Sequence, residues 1–175
     1  MTDRRTEPAV DNRHDREQLW DLIKDIKFAM FTTRHANGHL HSRPMTTQNR
    51  GIDEDASLWF FMSRRGDAVA DIAADPAVNI VYADTDADDY VSVSGQARVV
   101  EDVAKKKQLW NKMTEAWFPA GADDPDLALV RVGIAHADYW EAKDSKLTQL
   151  FKMAKAAVTG QPPADMGEHG RVNMS

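Results

Sequence analysis

The spacing of apolar positions divides the chain into helical and extended stretches. In 15–26 (DREQLWDLIKDI), Leu19, Leu22, Ile23 and Ile26 recur at i, i+3, i+4 and i+7, which predicts an amphipathic helix. FAMFTT (28–33) reads as a strand, and Asn37-Gly38 as the turn of a hairpin in which both positions take positive φ. The second strand is HLHSRPMTTQ (39–48). Pro44 lies inside it and cannot donate to a ladder, so this strand belongs at an edge or is distorted there. SLWFFMS (57–63) is apolar on both faces and predicts a third strand. GDAVADIAAD (66–75) reads as a short helix ended by Pro76, and AVNIVYA (77–83) as a fourth strand.

Alternation is cleanest in DDYVSVSGQARVV (88–100). Val91, Val93, Gly95, Ala97 and Val99 share one face, and Ser92, Ser94, Gln96 and Arg98 the other. Gly95 in mid-strand signals a bend or a close approach by another group. Asp102 is placed to cap a helix over 103–116, followed by a loop at 118–126. LALVRVGIAHADYWEA (127–142) is a sixth strand with Ala128, Val130, Val132 and Ile134 inward. A last helix is expected over 146–158, stopped by Gly160 and Pro162-Pro163. The organisation is a flexible arm (1–14), one domain (15–158) and a C-terminal tail (159–175). Six strands joined by turns or short helices predict an α+β, mainly β fold: a largely antiparallel sheet that curls into a barrel.

Composition narrows the function classes. The 175 residues contain no cysteine, which excludes disulfides, thiolate metal sites and a Cys nucleophile. A net charge of −6 disfavours nonspecific binding to nucleic acid or to an anionic membrane. No apolar run approaches the length of a membrane span, and the polar start MTDRRTEPAVDNRHDREQ lacks a secretory core, so a cytoplasmic protein is expected. Motifs of the forms GxGxxG, GxxxxGK[ST], GxSxG and HExxH are missing.

Four constellations could carry chemistry. His35, His39 and His41 surround the hairpin turn, and His39 and His41 share a strand face that could hold a metal; lacking the spacing of a metal set, they read instead as an exposed histidine pair beside a turn. On one strand face lie His41, Arg43, Met45 and Thr47. A partly buried Arg43 requires an anion, either a ligand or an Asp or Glu elsewhere in the chain. Met62-Ser63-Arg64-Arg65-Gly66-Asp67 runs from a strand end into a helix start, where free N–H groups, a hydroxyl and two guanidiniums could cradle a phosphate. The alternative is a solvated basic turn capped by Asp67. Trp110, Trp117, Phe118 and Trp140 suit the core, a subunit interface or the wall of a planar-ligand site.

In their order and spacing, FAMFTT, NGHLHSRPM, LWFFMSRRGDAVADI, VSVSGQARVVEDVAKKKQLWNKMTEAWFPAG and ADYWEA resemble the general stress protein 26 family. That family lies within the pyridoxamine 5′-phosphate oxidase-like superfamily of flavin-binding split barrels. The resemblance covers roughly residues 15–157. It implies a six-stranded antiparallel split β-barrel with flanking helices, forming a homodimer with FMN shared at the subunit interface. It places Arg43, Pro44 and Met45 along the isoalloxazine. It runs Trp59, Phe60, Phe61, Met62, Ser63 and Arg64 beneath the ring to the phosphate, where Ser63 and Arg64 are anchors. Trp117, Phe118 and Trp140 match the aromatics lent by the second subunit.

Two departures stand out. Relatives commonly carry a phosphate-binding lysine where this chain has Ala68, which leaves Arg65 as a substitute donor. The end, MGEHGRVNMS, lacks the arginine-rich signature of true pyridoxine phosphate oxidases, so vitamin B6 oxidation is not expected. The implied activity is that of a flavin-dependent oxidoreductase or flavin reductase of the general stress type. His41 is the one candidate acid or base, and no catalytic residue is assigned. The alternatives are a noncatalytic dimer that binds FMN or a protein partner, and a barrel holding a deazaflavin or a heme, the latter with His39, His41 or His136 as axial ligand.

Overall fold

Antiparallel pairing dominates the computed structural model, which describes residues 12–53, 55–142 and 168–173. In chain order the elements are α1 (Asn12–Ile23), β1 (Ala29–Arg34), β2 (Leu40–Met45), β3 (Ser57–Ser63), α2 (Asp67–Ala74), β4 (Ala77–Asp84) and β5 (Asp89–Val100). There follow α3 (Val103–Leu109), α4 (Lys112–Glu115), β6 (Leu127–Glu141) and β7 (Glu168–Asn173). The strand order is β2-β1-β4-β5-β6-β3, with β7 also on β6. The long β6 gives one edge to β5. Its other edge is shared end to end by β3, opposite Leu127–Gly133, and β7, opposite His136–Glu141.

The interior follows from the period-2 pattern. Val91, Val93, Gly95 and Ala97 of β5 are buried, as are Val130, Val132 and Ile134 of β6. They meet Phe31, Leu58, Phe60, Ile80 and Tyr82 in the main core, where Phe31 and Phe60 pack edge to face with ring centres 5.1 Å apart. Leu19 and Ile23 of α1 join the same core. Gly95 answers both expectations made of it. The β5–β6 register shifts between Ser94 and Gly95, and a Cβ at Gly95 would run into the Gly133 carbonyl.

Several differences from the sequence reading have local causes. Only Gly38 of the hairpin turn has positive φ, at 85°. Gly38 N–H donates to the His35 carbonyl at 2.8 Å and His39 N–H to Asn37 Oδ1 at 3.0 Å, giving a three-residue loop rather than a two-residue one. The helix expected over 103–116 is broken at Trp110, whose ψ is 137°. Asn111 Oδ1 then accepts from Met113 N and Thr114 N and starts α4 afresh. Asp102 caps α3 as expected, accepting from Lys105 N at 2.8 Å. Residues 12–14, expected in the flexible arm, begin α1.

The largest difference is β7. The tail expected over 159–175 contains a seventh strand, in which Val172 is the one buried side chain among the described ones and Gly170 lies directly beneath the Tyr139 ring. A strand with one inward apolar residue gives almost no alternation to detect. The helix expected over 146–158 lies outside the described residues.

Candidate functional site

The barrel closes through β2 and β3, and it closes incompletely. Thr47, beyond the end of β2, forms one isolated bridge with Phe60. Gln48 N–H donates to the Trp59 carbonyl at 2.9 Å. Asn49 then does the work of a strand with its side chain: Oδ1 accepts from Trp59 N at 2.7 Å, and Nδ2 donates to the Ser57 carbonyl at 2.8 Å. The Thr47 hydroxyl meets the Tyr82 hydroxyl at 2.6 Å inside the barrel, where burial pushes the phenol pKa up. Beyond Thr47 the two strands share no described ladder. Continued in the Thr47–Phe60 register, Met45 would face Met62, Pro44 would face Ser63 and Arg43 would face Arg64.

Arg43 points inward from β2. Its Nη1 donates to Thr33 Oγ1 at 2.9 Å, and its Nη2 reaches His41 Nδ1 at 3.0 Å and Asp71 Oδ2 at 3.4 Å. Asp71, on α2, is 4% exposed and is the anion this arginine requires. It also accepts from Thr33 Oγ1 at 2.7 Å and from His35 Nδ1 at 2.9 Å. Burial pushes the Asp71 carboxyl up, but the Thr33 and His35 hydrogen bonds, followed by the His35 and Arg43 charges, outweigh it and hold the group below its ordinary value. The partners also set the imidazoles. A carboxylate only accepts, so His35 carries a proton on Nδ1. A guanidinium only donates, so His41 Nδ1 is bare.

The β3–α2 turn holds the second cluster. Ser63 Oγ donates to Asp126 Oδ2 at 2.7 Å, and Arg65 N and Nε both lie 3.2 Å from Asp126 Oδ1. Arg64 pairs with Glu101 at 2.8 Å. Gly66, not Asp67, occupies the cap position of α2 and supplies no side-chain bond. Ala68 is buried against the main core.

The aromatic candidates separate. Phe60 and Met62 fill the barrel, while Trp59 and Phe61 face outward and are buried with Leu109, Leu127 and Leu129. Among the described residues no acceptor reaches Trp59 Nε1, and the Lys105 ammonium lies 5.1 Å from the Trp59 ring centre. Phe118 is half-buried against that second core, and Trp117 beside it is 80% exposed. Trp140 lies at the far end of β6, opposite Tyr90, and stacks on His169 of β7 with ring centres 5.0 Å apart. Among the described residues no three His, Asp or Glu side chains converge as metal ligands, and no helix is long and apolar enough to cross a membrane.

Asp71, Asp126 and Asn49 were not candidates from sequence. Asp71 left a readable signal, since it shares a face with Ala68 and Ile72, both buried. An acid on the inward side of a short helix calls for a cationic partner. Asp126 left none, because DDPD (123–126) reads as an ordinary acidic loop.

The family model for pyridoxamine 5′-phosphate oxidase-like proteins matches residues 14–164. The chain belongs to that family. Protein bli-3 of Neurospora crassa is 30% identical over 169 residues, which cover 90% of this chain and 78% of that one. A chain from Jannaschia sp. CCS1 described as general stress protein 26 superposes with a TM-score of 0.71 at 26% identity, covering 94% of this chain and 99% of its own. The general stress FMN/FAD binding protein of Xanthomonas citri superposes at 0.65 with 31% identity, over 74% and 90% of the two chains. In this pyridoxamine 5′-phosphate oxidase-like barrel, carboxylates of the chain itself hold Arg43, Arg64 and Arg65.

Proposed function

We propose that the chain binds a flavin along the split and that its cofactor is FMN. The observation that supports this is the split itself, which opens beyond the single Thr47–Phe60 bridge between the strand that carries Arg43-Pro44-Met45 and the strand that ends in Met62-Ser63. The outer face beside it suits a flat amphipathic ring. Met30, Pro44 and Val81 form an apolar row across β2, β1 and β4. Hydroxyls and an amide border it: Thr32 and Ser42 are 2.7 Å apart, and Asn79 Nδ2 donates to Ser92 Oγ at 2.9 Å. Pro44 has no N–H, so the free edge of β2 is relieved of one donor. The relative from Xanthomonas citri is described as FMN/FAD binding, which supports the same reading.

A second copy of the chain completes the site in this proposal. Phe28, Leu40 and Trp117 are 56%, 67% and 80% exposed, and Met30 is 44% exposed. Exposed apolar side chains of this size support an interface reading. Trp117 and Phe118 are the aromatics one protomer lends its partner, and Trp140 is the third candidate. The bound flavin supplies electron and hydride transfer, which makes the protein a flavin-dependent oxidoreductase or reductase of the general stress type. The chain's own residues bind and orient it, with the β2 edge against the ring.

The test is a fluorescence titration of FMN at micromolar concentrations, alongside a visible spectrum of freshly purified protein. Quenching that saturates at one flavin per chain is the expected result. An unquenched titration together with a colourless protein would overturn the reading.

A further inference from the structure

The turn between β3 and α2 offers donors to an anion, and the chain supplies that anion itself. Asp126 Oδ2 takes the Ser63 hydroxyl, and Asp126 Oδ1 takes both the N–H and the Nε–H of Arg65. The Asp126 carbonyl takes Arg64 N–H at 2.6 Å. The Ser63 bond, against the opposing cost of desolvation and helped by Arg65, holds the Asp126 carboxyl below its ordinary range, so it is ionised at neutral pH.

The other cations around the turn are matched as well. Arg64 pairs with Glu101, and the buried Lys106 ammonium donates to the Leu127 carbonyl at 2.7 Å while its charge also acts on Glu101. Two more carboxylates stand close: Asp67 in the first turn of α2, and Asp124, which accepts from Asp126 N at 2.9 Å. A flavin phosphate carries a charge of about −1.5 to −2. At this turn it meets repulsion from several carboxylates, and to reach the Ser63 hydroxyl and the Arg65 donors it must first displace one. Losing a carboxylate to gain a phosphate exchanges like for like, so little net affinity remains for the phosphate.

We propose that Asp126 is the specificity-determining residue of the site: it fills the anion seat, so the chain selects a flavin by its ring and accepts riboflavin about as readily as FMN. The proposal rests on the flavin reading and deepens it. It assigns the ligand class as flavins irrespective of their phosphate.

Two titrations test it, each on the wild-type chain and on Asp126→Asn, which keeps a carbonyl acceptor for Arg65 but loses the charge. The first follows the backbone amides of Arg64–Asp67 by NMR while inorganic phosphate is added. The wild type is expected to show no saturable shift, and the variant a saturable one. The second compares FMN with riboflavin by fluorescence quenching. The wild-type ratio of dissociation constants is expected within about threefold, and Asp126→Asn is expected to tighten FMN about tenfold with riboflavin unchanged. Should the Asn variant melt early, Asp126→Ser gives the same readouts.

Saturable phosphate binding at the wild-type turn overturns the proposal. So does FMN binding about a hundredfold tighter than riboflavin, or a variant that loses FMN affinity; these leave the flavin reading standing. If neither flavin binds, yet phosphate shifts the variant alone, the flavin reading falls and the filled seat stands.

Discussion

The wall formed by β4, β5 and β6 and the split between β2 and β3 are built by opposite means. On the wall, ladders run unbroken for most of each strand, and the inward side chains Ile80, Val93, Val130 and Val132 are fully buried. Apolar area does the holding there, and it carries no titratable group that a change of pH could address. Along the split one bridge and a set of polar side chains replace the ladder: Asn49 on the Trp59 amide, Asp71 on Arg43, Asp126 on the Ser63–Arg65 turn. Such contacts are directional and charge-dependent, and each contributes little net stability. The barrel therefore tolerates an opening on one side because the other side carries the fold. The opening is held in shape by groups that a charged ligand or a change of pH can address.

The sharpest test removes volume from the core that the wall and the split share. Phe60 is fully buried against Phe31, and Phe60→Ala is expected to destabilise the chain by about 3–5 kcal/mol in urea unfolding, with little dependence on pH. A loss below 1 kcal/mol would show that the core relaxes around this position.

A smaller and pH-dependent effect is expected at the split. Asp71→Asn leaves Arg43 without its anion and is expected to cost about 1–3 kcal/mol at neutral pH. The sign with pH follows from the depressed folded pKa. The contribution of Asp71 is present above the unfolded carboxylate value of about 3.9 and is lost as pH falls below it, through the folded value. Wild type and variant should therefore converge in stability as pH falls through that window. Parallel curves down to pH 2 would mean the carboxylate is not what holds Arg43.

How much of this was legible in the residues follows the same division. The strands of the wall were readable because burial on one face writes a period of two: Val91 to Val99 announces β5, and Ala128 to Ile134 announces β6. SLWFFMS gave β3 its bounds because both its faces are covered, one by the barrel and one by Leu109 and its neighbours. Arg43 was visible as a candidate because an arginine beside apolar strand residues needs an anion, and Ser63, Arg64 and Arg65 because there a strand end runs into a helix start. Which anion was not visible. Asp71 and Asp126 are 28 and 63 positions from Arg43 and Ser63, and only the fold brings such residues together. β7 escaped for a different reason: among its described side chains one valine turns inward, and its other contacts with β6, Arg171 on Asp138 and His169 on Trp140, write no hydrophobic period.

The smallest expected effect concerns a residue that touches neither region of a single chain. Trp117 is 80% exposed at the end of α4, so Trp117→Ala should change the unfolding free energy of a dilute, monomeric sample by no more than about 0.5 kcal/mol. The proposed dimer makes a different demand. An aromatic buried against a partner copy is the type of residue that carries interface energy, and its truncation costs about 2 kcal/mol or more of association. Sedimentation of both forms over a concentration series separates the two quantities. A shifted monomer–dimer midpoint with unchanged monomer stability places Trp117 at the interface and the completed site between copies. An unshifted midpoint leaves Trp117 in solvent, and the aromatic wall of the flavin site must then come from the chain that carries the split.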